Sequence, residues 1–417
     1  MNKRPHSAFP YGLRSVAAIA GLTLCLLSGW WAVRDGMSRL LSLHGRATGL
    51  LDSATEAVRL SPTDAEAHYA QATALLEAGQ SQAALPALEQ AVRWRPRDYG
   101  LWLALARARD LTGDNTGALA AFRQAVQRAP HYAQPRWQLG NWLLRAGQVE
   151  EAFVELRSAA ASDATLLPNA ADLAWSAFNG DARAVERVIQ PQNDGARMTL
   201  AVLAAKRGKT EEALQLFRAA QQVPDDERRR LLTALLSAHR FHEAFEVWAA
   251  GRGEAATITD GGFEQGWPPD ESSFGWVRVR DAQTVRLSFD AQRPHSGRTS
   301  LRIDWNGNSD PSQSLLLQLV PVQPRRVYRL NFIARTHELV AGGAPEVLVM
   351  DVESQGRALA QTLALPLGTS DWRTYAMEFR TSDTTNAVRV IVRRQGCSAA
   401  GPCPAFGKLW VDDFALR

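Results

Sequence analysis

The chain has 417 residues, 46% hydrophobic and 22% charged, which excludes a wholly disordered polymer and leaves room for two or three domains. Its 47 basic and 43 acidic side chains give a net charge of +4. Three cysteines, Cys25, Cys397 and Cys403, are too few for a disulfide scaffold, and no Cys/His cluster has zinc-ligand spacing.

The positive excess is local. Residues 1–45 hold 5 basic and 1 acidic side chains, residues 46–255 hold 24 and 25, and residues 256–417 hold 18 and 17. The later regions are near neutral, so no nucleic-acid partner is expected. From Ser15 to Val33 the chain carries no charge. At about 1.5 Å per residue such a helix spans about 28 Å, close to a hydrocarbon core. Lys3, Arg4 and Arg14 precede it without an acid, which puts the N-terminus in the cytoplasm and the bulk outside. Trp30 and Trp31 fall where an interfacial belt belongs. Ser28-Gly29-Trp30-Trp31 is a poor signal-peptidase site, and Leu24 before Cys25 does not suit a lipoprotein. Residues 1–40 are therefore expected to be a cytoplasmic tail and one uncleaved transmembrane helix, spanning about 15–33. The expected location is a bacterial inner membrane, single-pass, with the bulk periplasmic.

A period of 34 residues follows. Pro62, Pro96 and Pro130 obey it, as do Ala57, Ala91, Ala125 and Ala159, and Ala84, Ala118 and Ala152. Trp102, Leu105, Ala118, Phe122, Ala125 and Pro130 fill one unit; Leu139, Gly140, Leu143, Ala152, Leu156 and Ala159 belong to the next. This pattern strongly resembles the tetratricopeptide repeat, a pair of helices whose small residues permit close approach and whose proline ends the second helix. The resemblance decays after residue 160. A shortened pair is expected over Leu167–Gln190, then Asp194–Glu227 and Arg228–Ala250, with Leu41–Leu60 as an orphan second helix upstream. The resemblance implies an all-α solenoid over 41–252 that binds an unknown protein or peptide. Tyr69, Thr73, Arg107, Trp137 and Asn141 are the first-helix positions expected to line its groove.

Near Gly251 the helical pattern gives way to alternation. Thr284–Asp290, Ser300–Trp305, Arg326–Ala334, Glu346–Glu353, Thr374–Phe379, Ala387–Arg393 and Lys408–Leu416 are strand candidates in an all-β sandwich. Leu301, Ile303 and Trp305, and likewise Tyr328, Leu330 and Phe332, share a face and read as core. By the same alternation Trp276 and Arg278 oppose Val277, Arg329, Asn331 and Arg335 oppose the aromatic row, and Arg389 opposes Val388 and Val390. If these rows meet on one sheet, they make an Arg-rich floor beside Trp276 that suits an acidic glycan. Trp267, in a Pro- and Gly-rich loop, is a second ring for stacking on sugar. Cys397 and Cys403, six apart in a turn-like stretch, are expected to form a local disulfide outside the cytoplasm.

Ile258-Thr-Asp-Gly-Gly-Phe-Glu264, Ser296–Ile303, Tyr328–Phe332, Trp372-x2-Tyr375-x3-Phe379 and Trp410-Val-Asp-Asp-Phe414 form a frame. Over 256–417 it resembles jelly-roll carbohydrate-binding modules of the family 4/9 and 22 type. The resemblance implies a jelly roll, a polysaccharide ligand and a structural calcium joining the two ends of the domain. Glu264, with Asp412 or Asp413, matches the calcium positions, and carbonyls near His295–Arg298 would complete the shell.

No catalytic signature is present: no Gly-x-Ser-x-Gly, no His-Glu-x2-His, no phosphate loop and no Rossmann glycines. Asp351 and Glu353 are the nearest carboxylate pair, and His239 and His242 lack a third ligand. The expectation is a membrane-anchored, non-catalytic envelope scaffold that joins a protein to a glycan, with a structural calcium and no other cofactor, in cell-surface polysaccharide assembly or export. The alternative is a protein–protein scaffold whose sandwich is structural.

Overall fold

The computed structural model describes residues 11–251, 257–267, 274–278, 284–311, 313–354, 357–397 and 403–417, without the side chains of 11–15 and 17. Two compact units divide the chain, residues 1–190 and 191–417.

The first unit is helical: α1 (Tyr11–Thr48), α2 (Leu51–Leu60), α3 (Ala65–Glu77), α4 (Ser81–Trp94), α5 (Tyr99–Leu111), α6 (Asn115–Arg128), α7 (Ala133–Arg145), α8 (Val149–Ser162), α9 (Leu167–Ala177) and α10 (Ala182–Ile189). From α3 to α8 the helix starts repeat every 34 residues. The alanines of the sequence ladders, Ala57, Ala84, Ala91, Ala118, Ala125, Ala152 and Ala159, are all 0% exposed, so paired helices meet where a larger side chain has no room. Within a pair, a residue in the left-handed region closes the first helix: Gly79, Gly113 and Gly147, at φ of 72°, 81° and 78°. Between pairs, one carbonyl tie recurs. His68 Nε2 lies 2.7 Å from Pro62 O, Trp102 Nε1 donates to Pro96 O at 2.9 Å, and Arg136 Nε donates to Pro130 O at 3.3 Å. The shortened pair expected over Leu167–Gln190 is α9 and α10.

The sequence places Leu41–Leu60 in one orphan helix; the chain instead breaks between α1 and α2, with Gly49 at φ 71°. The first helix of that pair is the second half of α1, which runs unbroken through residue 40. There Arg34 Nε donates to Leu60 O, Ser38 Oγ to Ala57 O at 2.9 Å, and Ser61 Oγ to Asp35 Oδ1 at 2.9 Å. Ser38 and Ser42 are fully buried. In the first half the pattern inverts: Val16, Ile19, Leu22, Leu24, Leu26, Leu27, Trp30, Trp31 and Val33 are 55–69% exposed. Among the described residues no helix is long and apolar enough to cross a membrane. The uncharged stretch begins at Ser15, and the side chains of Ser15 and Ala17 lie outside the described residues.

The second unit opens with α11 (Asp194–Lys206), α12 (Thr210–Ala219), α13 (Asp225–Ser237) and α14 (Phe241–Ala249). Ten strands follow: β1 (Val277–Arg278), β2 (Val285–Asp290), β3 (Ser300–Asn308), β4 (Leu316–Pro321), β5 (Val327–Ala341), β6 (Pro345–Asp351), β7 (Ala358–Gln361), β8 (Gly368–Arg380), β9 (Ala387–Arg394) and β10 (Pro404–Leu416). They make two antiparallel sheets, β1-β4-β9-β6-β7 and β2-β3-β10-β5-β8. Leu301, Ile303, Trp305, Leu330, Phe332, Leu409 and Val411 of one sheet pack on Leu316, Val347, Val388, Val390 and Val392 of the other. Strands of the second sheet such as β3 and β5 have one face in the core and one facing outward, whereas β4 and β6 of the first sheet are buried along nearly their whole length.

Within this unit the last helix meets the sandwich. Phe274, 0% exposed just before β1, packs on Phe245 and Trp248 of α14, with ring centroids 5.3 and 5.9 Å apart. His242 Nε2 lies 3.0 Å from Val322 O, and His239 Nδ1 lies 3.9 Å from Glu353. The two histidines thus serve the junction and point to separate partners.

Candidate functional site

The 34-residue period places one residue of each first helix at equivalent positions. Tyr69, Leu103 and Trp137 form one such set; Thr73, Arg107 and Asn141 form another. Leu103 is core at 1% exposure. Tyr69 is half-buried with the Arg46 guanidinium 5.2 Å from its ring centroid, so α1 already covers it. Thr73 Oγ1 donates to Tyr69 O at 2.9 Å, and Asn141 Nδ2 donates to Trp137 O at 2.8 Å; both turn back on their own helices. Trp137, half-buried, and Arg107, exposed, are the members left to meet a partner.

The Arg-rich floor does not assemble. Trp276 is 3% exposed, donates Nε1–H to Asp260 O at 3.0 Å, and packs on Phe263 and Phe414 at 5.3 and 5.0 Å. It is core, not a sugar platform. Alternation misassigned it because β1 is only two residues long, too short for a period of two to fix a face. Arg278 and Arg389 lie in the first sheet, with β4 between their strands, while Arg329 and Asn331 lie on β5 in the second. Alternation decides a face, but sheet membership depends on pairing that the local sequence does not contain. Arg329 Nε donates to Asn331 Oδ1 at 3.3 Å, and its Nη1 is 3.9 Å from Glu378. Trp267 and Arg278 do come together: the guanidinium lies 4.9 Å from the indole centroid, and Phe289 packs on the same indole at 4.9 Å.

The residues expected to hold calcium also converge, around one loop. A bulge in β10, with Asp413 at φ 52°, turns two adjacent carboxylates toward residues 295–296. Asp412 Oδ2 accepts from His295 N at 2.9 Å and Ser296 N at 3.4 Å; Asp413 meets His295 Nδ1 at 2.7 Å and accepts from Ser296 Oγ at 2.6 Å. Glu264 Oε1 accepts from Arg298 N at 2.8 Å and Thr299 N at 3.2 Å. A side chain at Gly297 would overlap that carboxylate. The amide donors hold the Glu264 pKa below its usual value, whereas burial raises that of Asp412, which is 0% exposed. The oxygens are hard donors of the type calcium takes. They are turned to N–H and O–H groups, however, and among the described residues no three His, Cys, Asp or Glu side chains are grouped to hold a metal. The arrangement works as a hydrogen-bonded clasp that joins the opening loop, the 295–299 loop and the last strand.

Cys397 and Cys403 form a disulfide with Cα atoms 6.0 Å apart. Asp351, 2% exposed, accepts from Thr385 Oγ1 at 2.7 Å and Ser354 Oγ at 2.9 Å, and Glu353 N donates to it at 2.9 Å. Burial acts to raise its pKa, but these hydrogen bonds outweigh it and the pKa is lowered. Such a carboxylate ties a turn.

One row escaped sequence reasoning. On the outer face of the second sheet, Arg302, Trp410 and Arg335 stand in register across β3, β10 and β5, and Trp372 of β8 adjoins Arg335. The 410–414 and 372–379 motifs were visible as frame residues, but only cross-strand register sets them beside Arg335.

The tetratricopeptide repeat family matches residues 46–92, 69–133, 112–171 and 181–227. No curated protein sequence matches the chain. Similar solved structures include "CBM4 structure and function", at 13% identity, covering 38% of this chain and 98% of that one, with a TM-score of 0.28. The CBM22-1 xylan-binding domain of Paenibacillus barcinonensis Xyn10C is 15% identical, covering 35% and 88%, with a TM-score of 0.25. YrrB, described as a TPR protein with an unusual peptide-binding site, is 18% identical, covering 52% and 90%, with a TM-score of 0.28. From the 34-residue period, the buried alanine ladders and the family match together, the helical part of this chain is an array of tetratricopeptide repeats, followed by a β-sandwich.

Proposed function

We propose that this protein is a non-catalytic scaffold that holds a protein partner on its helical repeats and a glycan on its β-sandwich, anchored to the bacterial inner membrane through the first half of α1. The observation that carries the scaffold reading is the first-helix set at 34-residue spacing, in which Trp137 and Arg107 remain available while their neighbours are committed internally. An aromatic and an Arg are the residue types that dominate binding energy at protein interfaces. The anchor reading is supported by the exposed apolar residues of α1 and by Lys3, Arg4 and Arg14 before them. It sets the bulk outside the cytoplasm, the setting that also suits the Cys397–Cys403 disulfide. Polysaccharide assembly or export is the natural context for such a pair of binding regions.

Calcium belongs to the same reading. Glu264, Asp412 and Asp413 would supply its carboxylate oxygens at the clasp, where a bound ion would offset the buried charge of Asp412. Melting the full chain with calcium and with a chelator tests this; identical curves would remove calcium from the proposal.

A second reading is favoured by the α14 junction. Phe274 between Phe245 and Trp248 lets the sandwich brace the last helical pair, with no glycan needed. Capture of partners from envelope extracts by the full chain, with Trp137→Ala and Arg107→Ala as controls, tests the repeat site. Glycan binding by the same chain discriminates the two roles of the sandwich.

A further inference from the structure

Arg335 has no ion pair and no hydrogen bond among the described residues, and its Nε is buried without a partner. Its guanidinium lies between two indoles, 5.1 Å from the Trp410 centroid and 5.8 Å from that of Trp372. The neighbouring charges are spoken for. Arg302 bonds Asp304 at 2.7 Å and lies 3.6 Å from Asp290, and Asp290 also accepts from Trp410 Nε1 at 2.7 Å. Asp412, the next outward residue of β10, is taken by the 295–296 amides. Lys408 stands between His337 of β5 and Asp304 of β3, the latter bonded to Arg302, and has no ion pair among the described residues. Lys408 is diagonal to Arg335, a separation of about 7–8 Å on an antiparallel sheet. The face thus presents one cation fixed between rings and a second cation one step away; Asp371, in the β8 irregularity opposite Arg335, and Asp304, opposite Lys408, form no ion pair with them among the described residues.

Resting on the glycan reading above, we propose that Arg335 is the centre of an anion subsite on the outer face of the second sheet, taking the carboxylate of an acidic sugar polymer. Trp410 and Trp372 hold the guanidinium flat, so that its remaining N–H groups can meet a carboxylate in two-point geometry. The half-buried Trp372 ring gives the pyranose an apolar wall, and Lys408 meets the charge of the neighbouring sugar. A sugar polymer suits the site better than an acidic peptide. The two cations lie on interior strands, β5 and β10, so a peptide strand added at the free edge of β8 would run alongside β8 and not over them.

The test is isothermal titration of the full chain with polygalacturonate, its methyl-esterified form and poly-glutamate. The expected result is salt-dependent binding to polygalacturonate that esterification removes. Arg335→Ala should weaken it at least tenfold, Lys408→Ala several-fold, and Arg335→Lys less than Arg335→Ala. Lys408 is a surface position, so its variant remains informative if Arg335→Ala fails to fold. Polygalacturonate binding that both alanine variants leave unchanged overturns this subsite while the glycan reading stands. Poly-glutamate binding as tight as polygalacturonate overturns the sugar assignment. No binding of either sugar polymer by the unaltered chain overturns the subsite and the glycan reading together.

Discussion

Trp102 and Arg136, 34 residues apart, perform the same task with different chemistry: each gives an N–H to the carbonyl of the proline six residues before it. His68 places Nε2 at the equivalent carbonyl. Indole, guanidinium and imidazole share a planar N–H donor at the end of a flat group, and the position selects that property rather than one residue type. Arg136 also pairs with Glu155 at 2.7 Å, both side chains being largely buried. Arg136→Ala should therefore lower stability by about 1–3 kcal/mol, the worth of a hydrogen bond to a charged group. Chemical unfolding followed at 222 nm measures it, and an unchanged midpoint would show that the carbonyl tie is incidental.

Gly140 has no room for a methyl group. A Cβ there would lie 2.7 Å from Leu156 Cγ and 3.1 Å from Ala152 O, within the α7–α8 pair. Alanine is the better helix former by about 1 kcal/mol, but overpacking a close contact costs about 1–3 kcal/mol. Gly140→Ala is expected to be net destabilising, and Gly140→Ala with Leu156→Ala less so than the two single losses added. Additive losses in that double-mutant cycle would show that the two residues do not share the space.

The helical pattern and the sandwich were legible to different degrees, for physical reasons. Alanine ladders at a fixed period report helix pairing directly, because the constraint is local and repeats. Strands β2, β3 and β5 alternate and could be read, and β9 could be read from Arg389 and Arg393 against its valines. Strand β4, Leu316–Pro321, could not: five of its six residues are buried, and a continuous apolar run carries no period. The second sheet's Arg335–Trp410 neighbourhood was invisible because register between β5 and β10 joins residues 75 apart in sequence. The reading of Trp276 failed for the opposite reason, in that a period was applied where the strand is too short to have one.

Glu264 and Asp412 should titrate with opposite consequences. The Glu264 pKa is lowered from 4.5 by the amides of Arg298 and Thr299, so the folded state favours its ionised form. Its contribution is full above the unfolded value and is lost as pH falls through the lowered folded value. Burial raises the Asp412 pKa from 3.8, so its contribution falls as pH rises through the carboxylate range. Glu264→Gln should lower the melting temperature at neutral pH, and the gap from the unaltered chain should close as pH drops below 4.5. A gap constant from pH 7 to 3 would show that Glu264 acts by shape alone.

His239 occupies the left-handed position, at φ 57°, that Gly79, Gly113, Gly147 and Gly208 hold elsewhere in the repeats and that Asn179 holds, at φ 51°, after α9. A non-glycine residue there costs about 1 kcal/mol or more. The compensation is a 3.9 Å approach to Glu353 by a side chain that is 62% exposed, and such pairs are worth about 0–1 kcal/mol. His239→Gly should thus be neutral to stabilising for the helices. If differential scanning calorimetry shows a clear loss instead, the histidine's contact with the sandwich outweighs the backbone strain.

The unbroken course of α1 decides where the helical repeats can be separated from what precedes them. A cut at Leu41, where the repeat pattern suggests a boundary, would remove Arg34, Asp35 and Ser38, take from the Leu60 carbonyl and the Ser61 hydroxyl their side-chain partners, and leave the Ala57 carbonyl with Ser61 N alone. It would uncover Ala57, now 0% exposed, and open α2 to water along its inner face. A fragment that begins at Arg34 keeps those bonds and discards the apolar half. The practical unit of this protein is thus set by where α1 first touches α2, seven residues earlier than the expected start of the repeats at Leu41.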